Sequence, residues 1–448
     1  LKSKETTASY GTSESSPLKE MLRLPEHTRA GSAHVAVVVS ATVIAHLDGA
    51  FQYMMSYPYA CWEQRLTKGV MASHYQQLRA YLPATLAWPE SRELPERTLR
   101  DAASFQAPNG GMTFYTPRDE QVSPYLSAYT ALSFQWLRQH QLAIPAEVEA
   151  RLHQYLARVL LAQESPSYYT ESSSATVRAL ILDALSARGK ASLAEVKKHE
   201  ADLGRMSLFG LAHYLNALGR FQGTEALQKQ VVDRIRSAAD ETAGKYHFTE
   251  KLGPEYGHLL HTNTRTQCAI LSAILRYESS GPKRATDMPF KLVRTISQAR
   301  LAKGRWQNTQ ENMYCLNALG EYSRVYEKQT PNMQISAMIN SEALGKGTLT
   351  GFRAKPLAFQ KALDTTASTR DLELKLQKQG PGRFYYSTRL SYALNKLKDE
   401  EVNSGIAVTR EYHVERGGQW LKLTNPMKLK QGELVRVDLF VSLAAPRY

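Results

Sequence analysis

Two residues of this sequence have types and spacing suited to acyl chemistry. Cys61 and Gln64 stand in the run Tyr57-Pro58-Tyr59-Ala60-Cys61-Trp62-Glu63-Gln64. A glutamine amide is a poor electrophile. An acyl group on sulfur is a far better one, because a thiolate departs more readily than an amide nitrogen. If the Cys61 sulfur displaces ammonia from the Gln64 side-chain carbonyl, an internal thioester results. An outside nucleophile such as a lysine amine can then attack that carbonyl and expel Cys61 as a thiol, a transfer usable once. The two-residue spacer lets the partners meet in a tight turn. A helix starting there would aim backbone N–H groups and the positive end of its dipole at the carbonyl and the sulfur. Pro58 stiffens the approach. Tyr53, Tyr57, Tyr59 and Trp62 surround the pair with aromatic surface, and a stored thioester needs such cover from water.

Other candidates for chemistry are weaker. Of the three cysteines, Cys268 and Cys315 sit inside apolar helical patterns. They read as small buried hydrophobes and not as a disulfide framework. His140 and His153 lie in helical territory and are the candidates for an acyl-intercepting histidine, though each reads better as a surface or satisfied side chain. Asp183 and Glu311 are the candidates for paired carboxylates, though each fits a capping or solvated-face role better. No metal-ligand set or cofactor motif stands out, so none is expected. The net charge of +14 is scattered without a long Lys/Arg block, so nucleic acid is not an expected partner. No stretch approaches the roughly 20 apolar residues of a spanning helix.

The elements that must position the pair follow from periodicity. With 448 residues, 43% of them apolar, the chain can build two to four domains without staples. Residues 1–24 are polar and read as a flexible or extended lead-in. Residues 33–40 read as a strand. From about 44 to 327 the pattern is helical. Five segments there share a signature of apolar, any residue, Ala, apolar, at 129–132, 182–185, 215–218, 271–274 and 316–319. The repeat implies stacked helical hairpins, as an open solenoid or a closed ring. The alanine lets two helices approach closely where they cross. Thr264 with Gln267, Asn308 with Glu311, and Ser192 with Glu195 are predicted capping boxes. After about 330 the period changes to two, with strands predicted at 334–339, 371–376, 383–394, 406–414 and 434–441. Phe384, Tyr386, Leu390, Tyr392 and Leu394 share one face. This part is expected to be all-β and to hold more than one small sandwich.

The string Tyr57–Gln64 resembles the thioester motif of the α2-macroglobulin and complement superfamily, Pro-Tyr-Gly-Cys-x-Glu-Gln, and stands after a strand and before a helical repeat as in that family. The turns at 109–114 and 304–307 resemble those that join outer and inner helices of α/α toroids. The resemblance implies a multi-domain α and β chain. Residues 1–43 would be a lead-in and the first part of a CUB-like β-domain, and 44–328 an α/α-toroid thioester domain inserted into it. Residues 329–398 would be the remainder of the CUB-like domain, and 399–448 the start of a C-terminal macroglobulin-like sandwich. The run 382–392, with Thr409-Arg410-Glu411-Tyr412 and Gln431-Gly432-Glu433, is closer to bacterial members.

The resemblance further implies part of a bacterial protease trap, a broad-spectrum endopeptidase inhibitor and not an enzyme. Cys61 and Gln64 would form the thioester cross-link, with Tyr57, Tyr59 and Trp62 shielding it. Attacking proteases would be captured through their lysines after cutting a bait segment upstream. Without an acyl-intercepting histidine, amines are the default targets. The location implied is the periplasm, with attachment to the inner membrane through an upstream anchor left open. The sequence opens Leu-Lys-Ser-Lys without an initiator Met or leader, so upstream domains of a longer chain are expected partners. Ala60 departs from the family glycine, which would strain a position needing positive φ. Two other readings compete: a non-covalent interaction module whose thioester never forms, and an α/α-toroid enzyme.

Overall fold

The computed structural model describes residues 4–13, 16–116, 121–161, 166–242, 245–280, 287–301, 304–364, 370–395 and 406–443. The chain starts with strands β1 (Lys4–Ser13), β2 (Leu18–Arg23) and β3 (His34–Ser40). It then enters a helical region: α1 (Asp48–Met55), α2 (Trp62–Leu78), α3 (Leu94–Asp101), α4 (Pro124–Gln139), α5 (Ala146–Leu160), α6 (Glu171–Ser186), α7 (Leu193–Lys198), α8 (Leu208–Leu218) and α9 (Glu225–Ser237). After a short hairpin, β4 (Asp240–Thr242) with β5 (Lys245–His247), come α10 (Asn263–Ser279), α11 (Met288–Gln298) and α12 (Thr309–Tyr326).

Helices α2, α4, α6, α8, α10 and α12 each pack on the next, and α12 returns to α2, so this inner set closes into a ring. Around it, α3 lies on α2, α5 on α4 and α6, α9 on α8, and α11 on α10. The five signature segments fall on α4, α6, α8, α10 and α12, and their alanines (Ala131, Ala184, Ala217, Ala273 and Ala318) are all buried. Helix α2 has a buried alanine too, Ala72, but Ser73 follows it and hides the repeat. Hydrogen bonds near their N-terminal ends show the inner helices starting at one face of the ring: Arg265 of α10 to Tyr125 of α4, Tyr125 to Gln310 of α12, and Thr176 in the second turn of α6 to Ser207 ahead of α8. Those starts are capped by Ser123, Thr170, Ser207, Thr262 and Asn308, whose side chains accept backbone N–H groups that no helical carbonyl reaches.

Half of the Asn308/Glu311 box forms, the Asn308 Oδ1 accepting the Glu311 N–H at 2.9 Å while the Glu311 carboxylate takes the Gln307 N–H; the Ser192/Glu195 box forms in full. The box expected at Thr264 does not. Helix α10 begins two residues earlier, where Thr262 accepts the Arg265 N–H. A second correction concerns the cysteines. Cys268 and Cys315 are joined by a disulfide that ties α10 to α12. Both are fully buried, as expected of small hydrophobes, but neighbouring inner helices bring the two sulfurs together.

Beyond α12 come β6 (Asn332–Ile339), β7 (Glu342–Thr350), β8 (Leu357–Ala362), β9 (Asp371–Gln379) and β10 (Phe384–Ala393), then β11 (Ile406–Arg416), β12 (Gln419–Lys422) and β13 (Val435–Leu443). Two four-stranded sheets, ordered β1-β10-β3-β8 and β2-β9-β6-β7, share one apolar core built from Val35, Val37, Val39, Ile335, Leu374 and Tyr386 among others. This sandwich draws strands from both ends of the sequence. Of the two readings of the polar lead-in, the extended one holds: β1 and β2 are edge strands, paired antiparallel with β10 and β9. An edge strand needs main-chain partners and one inward row, here Leu18 and Leu22 of β2, and tolerates polar residues elsewhere. Strand β10 shows both faces in use. Phe384, Tyr386, Leu390 and Tyr392 enter the sandwich core as predicted, whereas Tyr385 packs with the helical ring.

The third sheet, β12-β11-β13, stands apart from that core. The expected boundary at residue 398 lies in 396–405, outside the described residues. Among the described residues, no helix is long and apolar enough to cross a membrane.

The chain leaves the sandwich at Thr42 and returns at Glu327. The two points are clasped: the Glu327 carboxylate accepts the Thr42 hydroxyl at 2.5 Å, the Val43 N–H at 2.7 Å and the Ser323 hydroxyl at 2.6 Å.

Candidate functional site

Cys61 occupies the N-cap of α2 in extended conformation (φ −65°, ψ 168°), and Gln64 sits three residues on, in the first turn. The Gln64 Oε1 accepts the Cys61 N–H at 3.0 Å, and the Gln64 backbone N–H faces the Cys61 sulfur. This is a capping box with cysteine and glutamine in place of the usual pair. One helix turn thus holds the two side chains against each other, and the spacing of the motif is the spacing of the box.

Three further bonds pin the turn. The Trp62 N–H donates to Phe114 O at 2.7 Å, Arg65 Nε donates to Ala60 O at 2.9 Å, and Lys68 donates to Met55 O at 3.1 Å. Arg65 is itself held by Asp101 at 3.0 Å. Both turns singled out in the sequence close on this face with left-handed glycines, Gly110 and Gly304. Ala60 is not among the residues with positive φ, so its methyl group costs no backbone strain.

The aromatic residues divide. Tyr57 is half-buried and lies edge-on to Tyr53 and Tyr59, with ring centroids 5.2 and 5.8 Å away. Tyr59 is 70% exposed. Trp62 turns the other way, into the ring, where it stacks on Phe105 and its indole N–H donates to Thr130 at 2.9 Å. Arg305 packs over Tyr53 at 4.7 Å. Burial, with the Tyr57 phenol beside it, pushes the Tyr53 phenol up to about 12. The Cys61 thiol is buried and unpaired with any other cysteine. Burial pushes its pKa up, and the Glu63 carboxylate adds to this, while the backbone N–H groups of Gln64 and Glu63 pull the other way.

Glu63 is the residue whose place the sequence did not disclose. Its side chain points into the ring, 3% exposed. It accepts hydrogen bonds from Gln310 Nε2 at 2.6 Å, Thr67 Oγ1 at 2.9 Å and Thr309 Oγ1 at 3.0 Å. Gln310 in turn accepts from Tyr125, and Tyr125 from Arg265, both at 2.6 Å. Arg265 is 1% exposed and lies 3.9 Å over the Phe209 ring. The available signal was its place in the Cys-x-Glu-Gln string, which names the residue but not its partners.

The remaining candidates lie elsewhere. His140 ends α4 and packs edge-on to His74, thirteen residues along α2 from Cys61, or about 20 Å at the helical rise. His153 is on the outer helix α5, against Glu149. Neither adjoins the sulfur. Glu311 caps α12 by accepting the Gln307 N–H at 2.8 Å. Asp183 is corrected: it is not on a solvated face but buried, bound by His213 at 2.7 Å, Asn216 at 3.0 Å and Arg220 at 2.7 Å. Burial alone would raise its pKa, but Arg220 and His213 outweigh this and hold it well below the usual carboxylate range. Among the described residues, no group of three side chains could hold a metal ion.

No family profile matches the sequence. A curated relative, circularly permutated Ras protein 2 of Dictyostelium discoideum, is 22% identical over 330 residues, which is 59% of this chain and 8% of that protein. Among solved structures, native α2-macroglobulin of Escherichia coli, from domain MG7 to the C-terminus, superposes with a TM-score of 0.57 at 16% identity, covering 98% of this chain and 64% of that one. The trypsin-activated E. coli protein gives 0.60 at 16% identity over 98% and 28% of the two chains. The Salmonella protein reacted with methylamine gives 0.57 at 17% over 98% and 27%. The chain therefore spans under two thirds of these relatives, and it has the fold of the C-terminal region of bacterial α2-macroglobulins.

Proposed function

We propose that this chain is the reactive part of a bacterial α2-macroglobulin-like protease trap, with an internal Cys61–Gln64 thioester that acylates lysine amines of an attacking protease. The observation that carries this reading is the capping box at the start of α2, which sets the Gln64 side chain on the same turn as the Cys61 sulfur. In this reading the closed ring is an α/α toroid, and the sandwich around it is the CUB-like domain into which the toroid is inserted. Tyr57 covers the site from outside and Trp62 closes it from within the ring. The cut that triggers exposure happens in a bait segment elsewhere in a longer chain. A periplasmic location accords with the Cys268–Cys315 disulfide, since such bonds persist in oxidising compartments.

Intact mass and free-thiol count, before and after methylamine, test this. The native chain is expected to be lighter than its sequence by one ammonia. Methylamine is expected to add across the bond and release one thiol, and Cys61→Ala to abolish both changes. A full native mass with a freely reactive Cys61 in freshly made full-length protein would instead leave a non-covalent interaction module.

A further inference from the structure

Opening the proposed thioester requires charge to build on sulfur. An amine adds to the Gln64 carbonyl carbon, the C–S bond breaks, and its electron pair leaves with Cys61 as thiolate. The proton that the amine nitrogen sheds after adding then completes the thiol, so the products are an amide and Cys61–SH. A stored acyl group survives only if that departure is unfavourable until the site is exposed, and the surroundings of the sulfur decide this.

Two hydrogen-bond chains converge on Glu63, two residues from Cys61 in the first turn of α2. In the first, Arg265 Nη1 donates to Tyr125, Tyr125 donates to Gln310 Oε1, and Gln310 Nε2 donates to Glu63. In the second, Tyr129 meets Thr67 at 2.6 Å, and Thr67 donates to Glu63. Thr309 supplies a further donor. Gln310 Nε2 can only donate, whereas the Thr67 and Thr309 hydroxyls donate here but can also accept. Burial raises the Glu63 pKa, while the hydrogen bonds from Gln310, Thr67 and Thr309 and the Arg265 charge pull it back down, and an ionised carboxylate can accept all three donors at once. It lies where inner helices start, so their N-terminal dipole ends offset the cost of burying it. Cations near the site are engaged: Arg65 with Asp101, Lys68 with Met55 O, Arg305 over Tyr53, and Arg265 three hydrogen bonds from Glu63.

We propose that Glu63 is an electrostatic brake on the store: its fixed carboxylate, two residues from the sulfur, opposes the charge that forms on Cys61 when the acyl bond opens. The inference rests on the thioester reading above. The upward push that Glu63 exerts on the Cys61 thiol agrees in sign. The same push reaches Tyr57, so the carboxylate acts on the site as a whole. The ring thereby does more than carry the bond. Thr67, Thr309 and Gln310 hold the charge in place from α2 itself and from α12, the last helix to close the ring.

The test is the rate of methylamine-driven thiol release from the full chain at fixed pH, in wild type, Glu63→Gln and Glu63→Asp, together with the pKa of the released thiol. Glu63→Gln keeps the shape and most hydrogen bonds but removes the charge. It is expected to open about three- to tenfold faster, with a lower thiol pKa, as a better leaving thiol departs faster. Glu63→Asp keeps the charge and is expected to return both toward wild type. Equal rates and equal thiol pKa in wild type and Glu63→Gln would overturn the brake while leaving the thioester intact. A wild-type chain with no ammonia deficit and no methylamine-released thiol would instead overturn the thioester reading, and the brake with it. If Glu63→Gln does not fold, the wild-type thiol after opening decides alone: titration at or below the ordinary cysteine value would overturn the proposal.

Discussion

At the scale of single residues, the pair proposed to react and the helix cap are the same two side chains, and this makes structure and chemistry separable. Gln64→Glu keeps an acceptor for the Cys61 N–H and thus the box, and adds a negative charge in the first turn, where the helix dipole favours it. It also removes the amide that would leave as ammonia. The expected result is a thermal midpoint within a degree or two of wild type and no methylamine incorporation by mass. A loss of stability comparable to removing a cap, about 1 kcal/mol, would mean the box depends on the amide itself. That Cys61 and Gln64 meet in one turn at a helix start was legible because the string around them is long. Glu63 stands in the same string but was illegible, since its partners Thr309 and Gln310 are 246 and 247 positions away. Asp183 was misread for the same reason, as His213 and Asn216 come from another helix.

At the scale of elements, the repeat announced the inner helices, but the sequence alone left open whether they close. Closure is visible in α12, which packs on both α10 and α2 and supplies the Glu63 anchors. The Cys268–Cys315 disulfide fixes α12 to α10 across a sequence separation of 47. Loop-closure entropy for that length gives about 4 kcal/mol. Cys268→Ser with Cys315→Ser is therefore expected to lower the denaturation midpoint strongly, and a dithiol reductant to do the same to wild type once the buried bond is reached. Urea unfolding with and without reductant measures it, and a midpoint unaffected by both would show that packing of α10 on α12 suffices. Spacing could not reveal this pair, because two cysteines in apolar stripes read identically whether bonded or merely packed. Strands β1 and β2 were missed for a related reason: polar edge strands show themselves only through partners, and Lys4 pairs with Ala393.

At the scale of the whole molecule, the helical ring interrupts the sandwich between β3 and β6, and two chain crossings connect them. Domains joined this way swing against each other unless the joint is fixed. Here one buried carboxylate fixes both crossings, since Glu327 at the end of the ring binds Thr42 and Val43 at its beginning. It also binds Ser323 within α12, so the joint is continuous with the helix that closes the ring and anchors Glu63. Glu327→Ala leaves the Val43 N–H and two hydroxyls without an acceptor. Hydrogen bonds to a charged group contribute about 1.5–3 kcal/mol each when lost, but water entering the loosened joint recovers part of this. The expected outcome is a chain destabilised by about 2 kcal/mol that is cut by protease at the crossings, near residues 41–43 and 328–331, before either unit unfolds. Its methylamine reaction is expected to stay at the wild-type rate, because the Glu63 partners are untouched. Limited proteolysis with mass mapping, alongside urea unfolding, reads both effects. If the crossings stay resistant and stability is unchanged, the ring and sandwich are held by their wider contact, such as Tyr385 against Tyr322, and not by the clasp.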